Sequence, residues 1–308
     1  MAETGPADTV VGRPRKTSDV VAHSPGCVPL RALYRWAQAE GATSWNQVES
    51  GFLDAMAAFD ATLASTADAA GSTAVQHVAA DLQNGKGDFF NDLLALLLER
   101  CSGVEHLYTR ANVPGLVVPV HNLDGAYPGT GDLGFLLEAK MMGTPRHALN
   151  PQQKSPLGRR GSADAGKRVK ELAFKSIDLK GEASRRRAIR GEAPVAGGAG
   201  GGDLTTWLHG SEPRIYFFLA ARVISDSDFR AVLRWCSVAA QVVDAVGVFC
   251  YQPAGTASAG TASDGTASDG TAPGGTAPGG YEARGDVPVE LQLERTLYKA
   301  CLDLRRLR

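Results

Sequence analysis

Apolar residues recur every three to four positions through the first third of the chain. Val48, Phe52, Met56, Phe59 and Leu63 fall on one stripe of a 3.6-residue period, which predicts an amphipathic helix over about 46–65. Comparable patterns predict helices over about 28–40 and 72–83. The segment from Asp88 to Cys101 (DFFNDLLALLLERC) is apolar nearly all round, as expected of a helix buried against a sheet, with Asp88 as its cap.

The rhythm then changes. Short β-prone stretches lie at about 104–109, 115–121 and 132–140, separated by Pro- and Gly-bearing turns, notably Asp124 to Gly131 (DGAYPGTG). A polar loop at 143–162 precedes a helix over about 163–180, in which Val169, Leu172, Phe174 and Ile177 are expected to make the apolar contacts. A strand at about 213–222, a helix at 227–243, a strand at 244–251 and a helix at 289–306 complete the pattern. The order predicts an α/β fold, a mixed central sheet flanked by helices, with extra N-terminal helices.

Five segments follow from this reading. They are a disordered tail at 1–25, a helical region at 26–84, a core at 85–253, a low-complexity linker at 254–280 and a C-terminal helix at 281–308 packing on the core. Within the core, 191–203 ends in a Gly/Ala run and reads as a loop. The linker repeats five-residue Gly-Thr-Ala units that carry almost no apolar bulk, too short a period for a solenoid.

Composition narrows the function classes. The 308 residues are 44% hydrophobic, enough for a full core, and no apolar run reaches the roughly 18–20 residues of a membrane helix. The N-terminus lacks the charged cap and apolar run of a signal peptide. Five scattered cysteines, with no C-x-x-C, support neither a zinc site nor a disulfide framework and read as reduced thiols of a cytoplasmic protein. There is no Walker motif, no dinucleotide fingerprint, no nucleophile elbow and no H-E-x-x-H. Net charge is −1, yet residues 141–190 hold 13 Lys and Arg against four acids, so this segment carries +9 and the remainder −10. That asymmetry suits a polyanionic partner as well as a solvated basic helix.

The candidate chemistry lies just before the basic segment, in Gly131-Asp-Leu-Gly-Phe-Leu-Leu-Glu-Ala-Lys140. On a strand, side chains alternate with period 2, so Asp132, Glu138 and Lys140 project from one face between Leu133, Phe135, Leu136 and Leu137. Charged groups on an apolar strand are costly unless they coordinate something. Two carboxylates can bind Mg²⁺, with the Ala139 carbonyl as a third ligand, while Lys140 positions or deprotonates water and neutralises charge developing on a phosphate. Asp124 competes with Asp132 as first acid; it would put the turn at 127–131 between the two carboxylates. A second acid-x-Lys triplet, Asp178-Leu-Lys180, lies in a helical pattern where i and i+2 do not share a face.

The acid, the Glu138-Ala139-Lys140 triplet and the α-β-β-β-α-β order over about 85–250 resemble the PD-(D/E)xK nuclease superfamily, which includes most type II restriction endonucleases. Gly131 stands where that pattern has Pro, and the spacing from Asp132 to Glu138 is short for it. The resemblance implies a restriction-endonuclease-like core and Mg²⁺-dependent hydrolysis of double-stranded DNA by a type II-like restriction enzyme. It further implies a homodimer and a cognate DNA methyltransferase partner. In that family an early helix sometimes adds an acid, here Asp92. Arg146, Lys154, Arg159, Arg160, Lys167 and Lys170 are the expected DNA contacts, with His147 a weaker one. The alternatives are a repair or mobile-element nuclease of the same chemistry, and a non-catalytic DNA-binding protein using the 141–190 surface.

Overall fold

The computed structural model describes residues 27–69, 74–105, 107–127, 133–145, 158–190, 212–255 and 280–307. The tail expected at 1–25, the Gly/Ala run and nearly all of the repeat at 254–280 lie outside these residues.

Among the described residues, six α-helices and six strands form a mixed α/β structure. In chain order they are α1 (Val28–Ala39), α2 (Trp45–Ala69), α3 (Ala74–Ser102), β1 (Tyr108–Val113), β2 (His121–Tyr127), β3 (Leu133–Met142) and α4 (Ala165–Arg190). After these come β4 (Glu212–Arg222), α5 (Asp226–Ala239), β5 (Ala245–Pro253), β6 (Tyr281–Ala283) and α6 (Leu293–Leu307). The strands make one sheet in the order β1-β2-β3-β4-β5-β6. β3, β4 and β5 run parallel, and the outer pairings are antiparallel.

Sequence explains the centre of this sheet. β4 reads Ile-Tyr-Phe-Phe-Leu-Ala-Ala through 215–221 and is buried on both faces, as a strand with parallel neighbours on each side must be. Alternate residues divide between two cores. Tyr216, Phe218 and Ala220 face α1, α2, α3 and α6, while Phe217, Leu219 and Ala221 face α4 and α5. Trp45 and Phe52 of α2 meet Phe249 of β5, so the N-terminal helices belong to the same core as α3 and α6. α5 starts where the Ser225 side chain accepts from the Asp228 N–H, with Asp226 and Asp228 set against the positive end of the helix dipole.

Several expectations change. The helices expected at 72–83 and 88–101 are one helix, α3, so Asp88 lies mid-helix and pairs with Arg110 at 2.6 Å instead of capping. Of the strand expected at 115–121, residues 115–120 form a loop, and the second strand is β2, which starts at His121 and runs into residues taken from sequence as a turn. Pro114, Gly115 and Pro119 remove or misdirect the ladder there, which the run of valines concealed. On α4, Val169 and Leu172 are buried, but Phe174 and Ile177 are exposed. Cys101 and Cys301 come side by side, Cα atoms 6.0 Å apart, where the end of α3 meets α6. Among the described residues, no helix is long and apolar enough to cross a membrane.

Candidate active site

β3 lies between an antiparallel and a parallel neighbour, so its backbone is fixed on both sides. Phe135, Leu137 and Ala139 point into the core under α3, and Leu136 points into the core under α4. Strand alternation therefore puts Glu138 and Lys140 on the α4 side, as the spacing predicts.

The first acid they meet is Asp124. The ladder between β1 and β2 pairs residues 109 with 125 and 111 with 123, skipping Arg110 and Asp124, and the β2–β3 ladder begins only at Gly125. Arg110 has φ of 51°, the left-handed region that non-glycine residues rarely enter. Asp124 sits at this break. Its carbonyl, freed from the ladder, accepts from Asn91 Nδ2 of α3 at 2.8 Å. Its carboxylate reaches across β3, where Oδ2 accepts from the Ala139 N–H at 2.9 Å and from Lys140 Nζ at 2.6 Å.

Lys140 Nζ also lies 2.9 Å from Glu138 Oε2, so one ammonium joins both carboxylates. Lys175 of α4 ion-pairs with the other oxygen, Glu138 Oε1, and donates to the Asn122 carbonyl at 3.0 Å. Glu138 is the buried floor of the group, its side chain 4% exposed; those of Asp124, Lys140 and Lys175 keep 27%, 30% and 26% of their surface in solvent. The group is thus open on one side. Burial opposes the charge on Lys140, but the Glu138 and Asp124 carboxylates outweigh it and hold the ammonium above its ordinary 10.5. At neutral pH it is a fixed cation between two anions.

Glu138 and Lys140 therefore meet as expected, with Asp124 as the acid beside them. Asp132 lies outside the described residues. So do Arg146, His147 and Lys154. Arg159 pairs with Asp164 at 2.6 Å and Arg160 is exposed. Lys167 and Lys170 are exposed on the first turns of α4, Lys167 at 3.9 Å from Glu171. Asp92 is buried on α3, which packs on the opposite face of the sheet from Glu138 and Lys140. Among the described residues no third His, Cys, Asp or Glu joins the two acids. Lys175 is the residue that sequence reasoning missed. Its only signal is its position beside the buried stripe Leu172, Ser176, Leu179 and Ala183 on a helix that must cover the β3 face.

No family model, no curated protein and no solved structure matches this chain.

Proposed function

We propose that the chain is a Mg²⁺-dependent nuclease that hydrolyses phosphodiester bonds of double-stranded DNA, in the manner of a type II-like restriction enzyme. The observation that carries this reading is the placing of Asp124 and Glu138 on neighbouring antiparallel strands. Lys140, two residues beyond Glu138, bridges both acids on the solvent-open side. The resemblance to the PD-(D/E)xK superfamily supports it through the same three residue types and through a helix, three strands, a crossover helix and a further strand in that order.

The donor set fits the ion. Mg²⁺ is commonly held by one or two carboxylates, with water and substrate phosphate completing its shell, so two acids suffice. Bound between Asp124 and Glu138, it would polarise a phosphate oxygen and acidify a water. The remaining work falls to the chain. Lys140 and Lys175 hold the carboxylates apart and in register before substrate arrives. Lys140, protonated and partly exposed, neutralises charge on the phosphate as the water oxygen bonds to phosphorus, a bridging P–O bond breaks and the leaving oxygen takes a proton. The Asp124-Lys140-Glu138-Lys175 chain has two negative and two positive charges, so a dication enters a site that is neutral, not repellent.

A cutter with one such centre per chain severs both strands as a homodimer, and a sequence-specific cutter requires a methyltransferase to protect its own genome. The test is incubation with supercoiled plasmid and Mg²⁺. Wild-type protein converts it to nicked and linear forms with defined ends, EDTA stops this, and Asp124→Ala and Glu138→Ala abolish it. Full cleavage by Asp124→Ala alongside loss in Asp132→Ala would reassign the first acid; full cleavage by Glu138→Ala would remove the proposal.

A further inference from the structure

Next to the candidate site the chain holds a set of apolar side chains out in solvent, and holds them rigidly. In the loop between β1 and β2, Leu116, Val117 and Val120 are exposed, as are Phe174 and Ile177 of α4; Val117 is 73% exposed and Ile177 70%. The loop lies along the helix. The His121 ring is 6.1 Å from that of Phe174, and Leu116 packs where a side chain on Gly181 would stand.

One buried carboxylate fixes this arrangement. Asp178 accepts from the N–H of Val117 at 2.7 Å and of Val118 at 3.1 Å, and its Oδ2 lies 2.7 Å from His121 Nε2. Its backbone carbonyl accepts from the Leu116 N–H, and the Gly115 N–H closes the turn onto the Val118 carbonyl at 3.0 Å. A side chain at Gly115 would stand 2.0 Å from Asp178 Oδ2, so glycine is required for the approach. A turn pinned by this many bonds does not need exposed valines at its tip to fold. A contiguous exposed apolar patch marks an interaction surface.

Charge selects the occupant. Acids along α4 have their own cations: Glu171 with Arg168 at 2.9 Å and Glu182 with Arg185 at 2.7 Å. Lys167 and Lys170 are exposed on one side of the patch and Arg187 on the other. Lys170 and Arg187 are about 25 Å apart along the helix, a length of about seven base pairs of duplex. A second copy docking by this face would bring basic ends together. A polyanion with apolar faces inside it would not. The patch is also continuous with the site, since Phe174 precedes Lys175, the partner of Glu138, and His121 is three residues from Asp124.

We infer that the 115–120 loop tip with Phe174 and Ile177 is an apolar wedge that enters the minor groove of duplex DNA beside the scissile phosphate and bends it, with Lys170 and Arg187 on flanking phosphates. This rests on the reading of duplex DNA as substrate. Apolar side chains pressed between base steps kink DNA and let it wrap more protein surface.

The test uses the full chain and a 30-base-pair mixed-sequence duplex carrying a dye at each end, in EDTA so that nothing is cut. Wild-type protein is expected to bind and to raise energy transfer between the ends. The Val117→Ser/Ile177→Ser variant, whose positions need no burial to fold, binds roughly tenfold or more weakly and without the bend. Lys170→Ala/Arg187→Ala weakens binding and lowers its salt dependence while the bend persists at saturation. Equal binding and bending by wild type and the serine variant overturns the wedge, as does failure of the wild type to bind duplex. So does a serine variant that instead loses self-association in light scattering, or binding to phosphatidylserine vesicles. Bending without Mg²⁺-dependent cleavage would remove the nuclease reading and leave the wedge. Equal cleavage by the serine variant would do the reverse.

Discussion

Two polar clusters sit on opposite faces of the same sheet, built from the same kinds of residue, and they treat a lysine in opposite ways. On the α4 face, Lys140 lies between Asp124 and Glu138, whose attraction outweighs burial and raises its affinity for a proton. On the other face, Lys86 of α3 is 2% exposed, and burial lowers its pKa; the pull of Asp60 offsets only part of this, and the nearby Arg222 adds to it. Asp60 accepts from the Tyr281 hydroxyl, which accepts in turn from Arg222 Nε at 3.0 Å. The Tyr251 ring packs on Tyr281 at 5.1 Å, closing the cluster. One cluster matches its two carboxylates with two lysines and has an open side. The other, among the described residues, sets Asp60 beside Lys86 and Arg222 and has no open side. Charged residues on a sheet are therefore no guide to chemistry by themselves; what differs is the ratio of carboxylate to cation and access to solvent.

The sharpest way to break the comparison is to remove each lysine. Lys140→Met is expected to lower plasmid cleavage by roughly 10²–10³-fold, the scale for losing one charge-stabilising donor. Lys86→Met is expected to cut at the wild-type rate per folded molecule. Initial rates on supercoiled plasmid, normalised to folded protein by circular dichroism, decide it. Equal loss in both would mean that the two clusters work as one site.

The second prediction concerns stability. Asp60→Ala removes the carboxylate that faces Lys86 and the Tyr281 hydroxyl, and leaving a buried cation without its anion costs about 3–5 kcal/mol. Urea unfolding followed by fluorescence should show that loss, with cleavage per folded molecule unchanged. A loss below about 1 kcal/mol would show that water reaches the cluster, since exposed ion pairs are worth little.

How much of this the chain announces depends on how local the cause is. The helices and β4 were legible because apolar period and burial are set within one element. Glu138 and Lys140 were legible because parity on a single strand needs no partner. Asp124 was read as the start of a turn and as the competing first acid; its place beside Glu138 arises from a break in two ladders, with Arg110 at positive φ on one side and Asn91 from α3 on the other, and none of these is local. Lys175 was hidden for the same reason: it is 37 residues from Glu138, and only the docking of α4 brings them together. Asp178 looked like half of a misplaced acid-x-Lys motif; its carboxylate holds the 115–120 loop. Cys101 and Cys301 meet across 200 residues, a proximity that spacing alone cannot give.

The smallest effect is the most specific to Lys86. Its folded pKa is below the unfolded 10.5, so between those values the unfolded chain carries a proton that the folded chain has shed. More protons on the unfolded state means that stability rises with pH across that window. The contribution is fully present above 10.5 and is lost as pH falls through the folded value, by at most about 1.4 kcal/mol per pH unit for one group. The tyrosines add the opposite slope only near and above their unfolded value of 10, because burial raises Tyr281 and Tyr251 in the folded state. Below pH 10, Lys86→Met should therefore flatten the rise of unfolding free energy with pH, and near neutrality it should be neutral or stabilising, since an apolar chain has no charge to desolvate. Lys140→Met should leave that rise in place, because Lys140 is held above 10.5, where its contribution is constant across the same range. A rise that survives Lys86→Met would mean that Asp60 compensates the buried ammonium as fully as Asp124 and Glu138 compensate Lys140, and the contrast between the two faces would then lie in access to solvent alone.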